Sequence, residues 1–117
     1  HQNQPENLAK LKLISIYHAQ QFSYLIKKMK SVKEGEGTLL DNTMLVFGSA
    51  IADPNRHAHE ELPMILAGRA GGKINSGRFI KYPENTPLNN LWMSMLDRFG
   101  TPAERIGDST GLLDQLS

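Results

Sequence analysis

Cysteine is missing from the 117 residues, so the chain has no disulfide and no thiolate metal ligand, and its redox compartment stays open on this ground. It contains no run of about 18 apolar residues that could span a membrane, and no basic-then-apolar leader stands at the front. The opening HQNQPENL reads instead as the interior of a longer protein. An excess of one charge is lacking as well: 13 Lys and Arg stand against 12 Asp and Glu, a formal net charge of +1. That balance gives nucleic acid, an acidic substrate or a membrane surface no bulk attraction to follow. Internal repeats, low-complexity tracts and linker-like segments are also absent. What remains, 39% hydrophobic and 21% charged, reads as one ordinary globular domain over residues 1–117, or a piece of a larger one.

What is present begins with a long amphipathic helix expected over residues 5–33. Leu8, Leu11, Ile14, His18, Phe22, Leu25, Met29 and Val32 recur at spacings of three and four. Pro5 suits its first turn and Gly35 or Gly37 its stop. Lys27, Lys28, Lys30 and Lys33 crowd the end where the macrodipole favours cations; with no aromatics interleaved they read as a solvated face. At 1.5 Å per residue such a helix runs roughly 40 Å, long enough to flank a sheet larger than this chain supplies. His18, alone on the apolar stripe, is expected to be a packed histidine.

The rest is organised around residues 43–68. Two short apolar runs, 43–47 and 63–67, suit strands buried on both faces, and they anchor a polar loop between them. Their spacing leaves parallel and antiparallel pairing open. The glycine-rich 68–83 that follows is expected to form a turn and an edge hairpin over 73–75 and 78–82, not a phosphate cradle, since it does not run into a helix. A second helix is expected over 86–99, with Pro87 in its first turn, Leu88, Leu91, Trp92, Met95, Leu96 and Phe99 on one face, and Gly100 ending it. Ser109 or Thr110 could cap a last short helix running to Leu116.

Chemistry, if present, lies in the polar loop. His57 and His59 are two apart, so in an extended segment their rings would share a face and could share one cation. Asp53 would join them as a metal ligand, and Asn55, Glu60 and Glu61 would orient the imidazoles from behind. The group implied is a divalent metal such as zinc, manganese or calcium. His59 is also the candidate general acid or base. Ser49 follows a strand but lacks the GxSxG frame of a nucleophile elbow.

A family resemblance rests on the same stretches. DNTMLVFGSA resembles the DNT-strand of alkaline-phosphatase-like and sulfatase-like enzymes, which ends in a metal-binding Asp-His pair, and HAHEELPMILAG resembles their HTGEEVPVxxxG segment. The tail NTPLNNLWMSMLDRFGTPAERIGDSTGLLDQL is similar to their closing helix. At many positions the chain looks like the end of a bacterial family of uncharacterised secreted proteins placed in that superfamily, with GTLLD, NRHxH, LPxLLAG, TPLNNLW, MLDRxG and GDSTGxL as the shared pieces. The resemblance covers nearly the whole chain.

That likeness implies an α/β fold: a long N-terminal helix packed on a small mixed sheet, then a C-terminal helix, together part of an alkaline-phosphatase-like three-layer architecture. It implies a metal-dependent hydrolase of phosphate or sulfate esters, with His57 where the phosphatases carry a zinc-binding histidine, followed by Glu60, Glu61 and Pro63. The positions matching the Asp-His pair hold Gly48, Ser49 and Ala50 instead. The superfamily's nucleophile and other ligands come from an earlier part of the fold, so the piece alone is expected to be inactive and its partner is the N-terminal part of the same protein. A homo-oligomer through exposed strand edges is a further expectation. The likeness also implies an extracytoplasmic location. The alternative is a non-catalytic binding or structural module that keeps the fold.

Overall fold

The computed structural model describes residues 3–117. Helix α1 runs Pro5–Ser31, with Pro at its start and Lys28 and Lys30 in its last turn. It stops two residues short of the expected end because Val32 turns extended (φ −90°, ψ 118°). The chain then enters a minimal hairpin, β1 Lys33–Glu34 with β2 Gly37–Thr38, turned at Gly35 with φ +56°. Asp41 braces the exit: its Oδ2 accepts the Thr38 amide at 2.9 Å and the Thr38 hydroxyl at 2.7 Å.

Strand β3 Leu45–Gly48 pairs antiparallel with β4 Met64–Ala67, in the register Leu45↔Ala67, Val46↔Leu66, Phe47↔Ile65 and Gly48↔Met64. The sequence left the direction of this pair open; residues 49–63 fold as a hairpin loop, not as a crossover. The small mixed sheet is thus corrected to two separate two-stranded antiparallel sheets. Neither β3 nor β4 is buried on both faces, and Ile65 is half exposed.

Residues opposite one another in an antiparallel pair share a face. Phe47 stacks on Phe22 of α1, with ring centroids 4.9 Å apart. Val46, Met64 and Leu66 pack the other way, against a core of Leu91, Leu113 and Leu116. The hairpin therefore lies between α1 and helix α2, Asn89–Phe99, closed by Gly100 at φ +93°. Each fully buried Leu contributes about 1.5–3 kcal/mol, and a lone two-stranded hairpin is marginal without such cover.

Four expectations fail in instructive ways. His18 and the stripe residues Leu8, Leu11, Ile14 and Leu25 are exposed; of α1 only Phe22, Ile26 and Met29 are partly covered. Residues 73–82 form no strand: the chain makes one 3-10 turn at Ala70–Gly72 and then runs irregularly, held by Ile74, 2% exposed. Residues 109–116 form no helix, and Phe99 lies outside the core.

The tail is fixed by side chains of α2 in place of helical bonds of its own. Asn90 Nδ2 donates to Thr110 Oγ1 at 3.0 Å, and the Thr110 amide donates to Asn90 Oδ1 at 2.8 Å. Ser94, fully buried, donates to Asn90 O and accepts the Leu113 amide, both at 2.7 Å. Tyr82 donates to Asp114 O at 2.7 Å, and Arg98 Nη2 to Ser117 Oγ at 2.9 Å. Burial holds the Tyr82 phenol above its ordinary pKa of 10.0, helped by the neighbouring Asp114 carboxylate.

Candidate functional site

The polar loop closes β3 to β4 across 15 positions, long for a hairpin connection, yet its backbone is tied down. The Ser49 amide donates to Pro63 O at 3.3 Å, which carries the ladder one step past Gly48. That step needs glycine at 48, since a Cβ there would collide with Met64 Sδ and Pro63 O. Ser49 Oγ donates to Ile51 O at 2.7 Å and accepts the Ile51 amide at 3.2 Å, a small hydroxyl-closed turn. Farther out, Ala52 N donates to Ala58 O at 2.9 Å and Ala58 N to Asp53 O at 3.1 Å, forming an isolated antiparallel bridge between Asp53 and Ala58.

Within that bridge, Asp53 Oδ1 accepts the amides of Asn55 at 2.8 Å and Arg56 at 3.3 Å, an Asx turn. One carboxylate oxygen of the expected metal ligand thus holds the loop's own backbone. His57 follows with φ +53°, a left-handed conformation that imidazole-bearing residues adopt more readily than branched ones. The extended segment that would have set His57 and His59 on one face is broken there. His59 lies beyond the bridge, with Nδ1 2.7 Å from Ala50 O. A carbonyl accepts only, so Nδ1 is the nitrogen that donates in this contact. Both rings are exposed.

Glu61, also left-handed at φ +49°, reaches Lys81 at 3.5 Å in an exposed ion pair. Glu60 is exposed beside it, and Asn55 is partly covered. The structure therefore brings Asp53, Asn55 and His57 into one turn, sets His59 against Ala50, and directs Glu61 toward residues 73–82. Among the described residues, no group of three or more His, Asp or Glu is gathered closely enough to hold a metal ion.

Sequence reasoning missed what stands beside the loop. Val46, Gly48, Ser49, Ala50, Met64, Leu88 and Trp92 line an open recess of about 250 Å³ at the same end of the hairpin. The apolar face of α2 was legible as core, but nothing in its spacing says that Trp92 is only partly covered. A second open hollow of about 360 Å³ lies on the far side, against Glu36, Asp41 and Arg69. There the Thr38 hydroxyl and amide hold the Asp41 carboxyl below its ordinary range.

No protein-family model, curated protein or solved structure matches this chain. Among the described residues no helix is long and apolar enough to cross a membrane.

Proposed function

We propose that this chain is the C-terminal portion of an alkaline-phosphatase-like protein, extracytoplasmic in location. In this reading it supplies His57 to a divalent-metal site that hydrolyses phosphate or sulfate esters. The supporting observation is the loop itself: a long polar excursion between two paired strands, locked by an Asx turn and a bridge, presenting two exposed imidazoles at one end of the sheet. A backbone fixed in this way lets a ligand bind without first ordering the loop. His59, oriented by Ala50 O, would act as second ligand or as general acid/base. The nucleophile and the remaining ligands would come from polypeptide outside these 117 residues. The same polypeptide would cover the exposed stripe of α1 and the free edges of β3 and β4; without it, those surfaces would pair with another copy.

Metal analysis of the full-length protein tests this. Stoichiometric zinc or manganese that is lost in His57→Ala, with esterase activity lost alongside, is the expected result. A wild-type protein that binds no divalent metal overturns it.

A second reading has its own support. Asp53 Oδ1 serves the amides of residues 55 and 56, and His59 serves Ala50 O, so the acidic and imidazole groups already have structural work. A non-catalytic module that keeps the fold accounts for these contacts as well. It predicts that His57→Ala leaves the behaviour of the full-length protein unchanged.

A further inference from the structure

Along α1, Leu11, Ile14, His18, Gln21, Leu25 and Lys28 follow one another at alternating steps of three and four, the heptad spacing with which one helix lays a seam along another. All six are exposed. The seam flanks the side of α1 that the chain covers itself, where Phe22 stacks on Phe47 and Ile26 and Met29 are partly buried. Farther round the helix, Leu13, Ile16 and Tyr17 are exposed as well. A helix apolar on several sides needs several neighbours, so polypeptide outside these 117 residues can take the Leu13–Tyr17 side and still leave the seam open.

Charge decides what fits the seam. Laid parallel, two copies would bring their Lys27, Lys28, Lys30 and Lys33 clusters together, and like charges on neighbouring turns repel. Laid antiparallel, the clusters separate and the macrodipoles oppose. In the antiparallel register that sets Ile14 of each copy on Leu25 of the other, Leu11 lies along the stem of Lys28 and His18 meets Gln21 at the centre. The same register brings Glu6, in the first turn of α1, level with Lys33 of the other copy. A polar central layer costs stability but fixes register. Surface is available for such a contact: the chain exposes 8670 Å², roughly 2,000 Å² beyond a compact chain of 13.1 kDa, whereas each partner in a stable pair buries about 800 Å².

We propose that α1 is the interface of a two-fold homodimer, in which two copies pair antiparallel through the Leu11–Ile14–Leu25 seam. A two-fold contact must be complementary to itself, and a seam with its acid at one end and its lysines at the other meets that condition. The pairing does not depend on the chemistry of the histidine loop.

Light scattering and oxidative cross-linking of the full-length protein test it, with the wild type as control. Within one helix, positions 14 and 25 stand roughly 16 Å apart, beyond the reach of about 7 Å that a disulfide allows. Ile14→Cys combined with Leu25→Cys is therefore expected to give a covalent dimer, while Ile14→Cys alone, whose two thiols would also lie eleven positions apart along the pair, gives none. Ile14→Lys with Leu25→Lys, both at exposed positions, is expected to abolish the dimer with the circular dichroism unchanged. A monomeric wild type, which would mean that other polypeptide fills the seam, overturns the proposal. So does a dimer that the double cysteine variant fails to link, as pairing through strand edges would give, a link through Ile14→Cys alone, or a dimer that persists in the double lysine variant.

Discussion

Ser94 shows how much one hydroxyl can carry. It is fully buried, donates to Asn90 O and accepts the Leu113 amide. Ser94→Ala would strand the buried Leu113 N–H, which costs about 1–3 kcal/mol, and thermal unfolding of the purified chain should show the loss. Tyr82 makes the corresponding bond to Asp114 O. Its folded pKa is raised, so the stability it contributes is complete below the ordinary value of 10.0 and disappears as pH climbs through the folded value. Unfolding midpoints should therefore fall more steeply above pH 10 for wild type than for Tyr82→Phe. Asp41 has the opposite sign. Its carboxyl is depressed by bonds from Thr38, so its contribution is present above the ordinary 3.8 and is lost in stronger acid.

Among the elements, α1, β3, β4 and α2 were legible because their apolar spacing and their Pro and Gly punctuation agree: Pro5 at one helix start and Gly100 at a helix end sit where such residues belong. The failures share one physical cause. Over 73–82 and 109–116 the backbone is satisfied by distant groups: the Asn75 amide donates to Leu116 O, and the tail amides donate to Asn90 and Ser94. Local propensity says nothing of an acceptor 19 or 20 positions away. The loop was legible as a site in composition but not in shape, since the left-handed turn at His57 depends on Asp53 capturing two amides. Gly68 tests the hairpin's anchoring. It has φ +94°, and a Cβ there would run into Thr43 O, so Gly68→Ala should cost about 3 kcal/mol or more. At Gly72 (φ +91°) nothing lies within 4 Å, and the same change should cost only the strain of about 1–2 kcal/mol. Denaturant midpoints of the two variants would separate clash from strain.

Taken whole, the molecule is too open for its mass. It exposes 8670 Å², where a compact chain of 13.1 kDa exposes about 6,400 Å², and its radius of gyration is 16.3 Å against about 13 Å. Part of the exposed apolar surface lies along α1, whose Leu8, Leu11, Ile14 and Leu25 face solvent. The isolated 117 residues should therefore self-associate: light scattering should show species above monomer mass, reverting toward monomer in Leu8→Glu with Leu11→Glu. A strictly monomeric wild type at high concentration would contradict this.

Because α1 is seated only from Phe22 onward, the 17 residues before it stand out as a stiff lever about 25 Å long. Tilting it by about 5° on the Phe22–Phe47 ring pair would carry the tip at Pro5 through about 2 Å, so whatever grips that tip would gain mechanical leverage over β3, the strand that leads into the histidine loop.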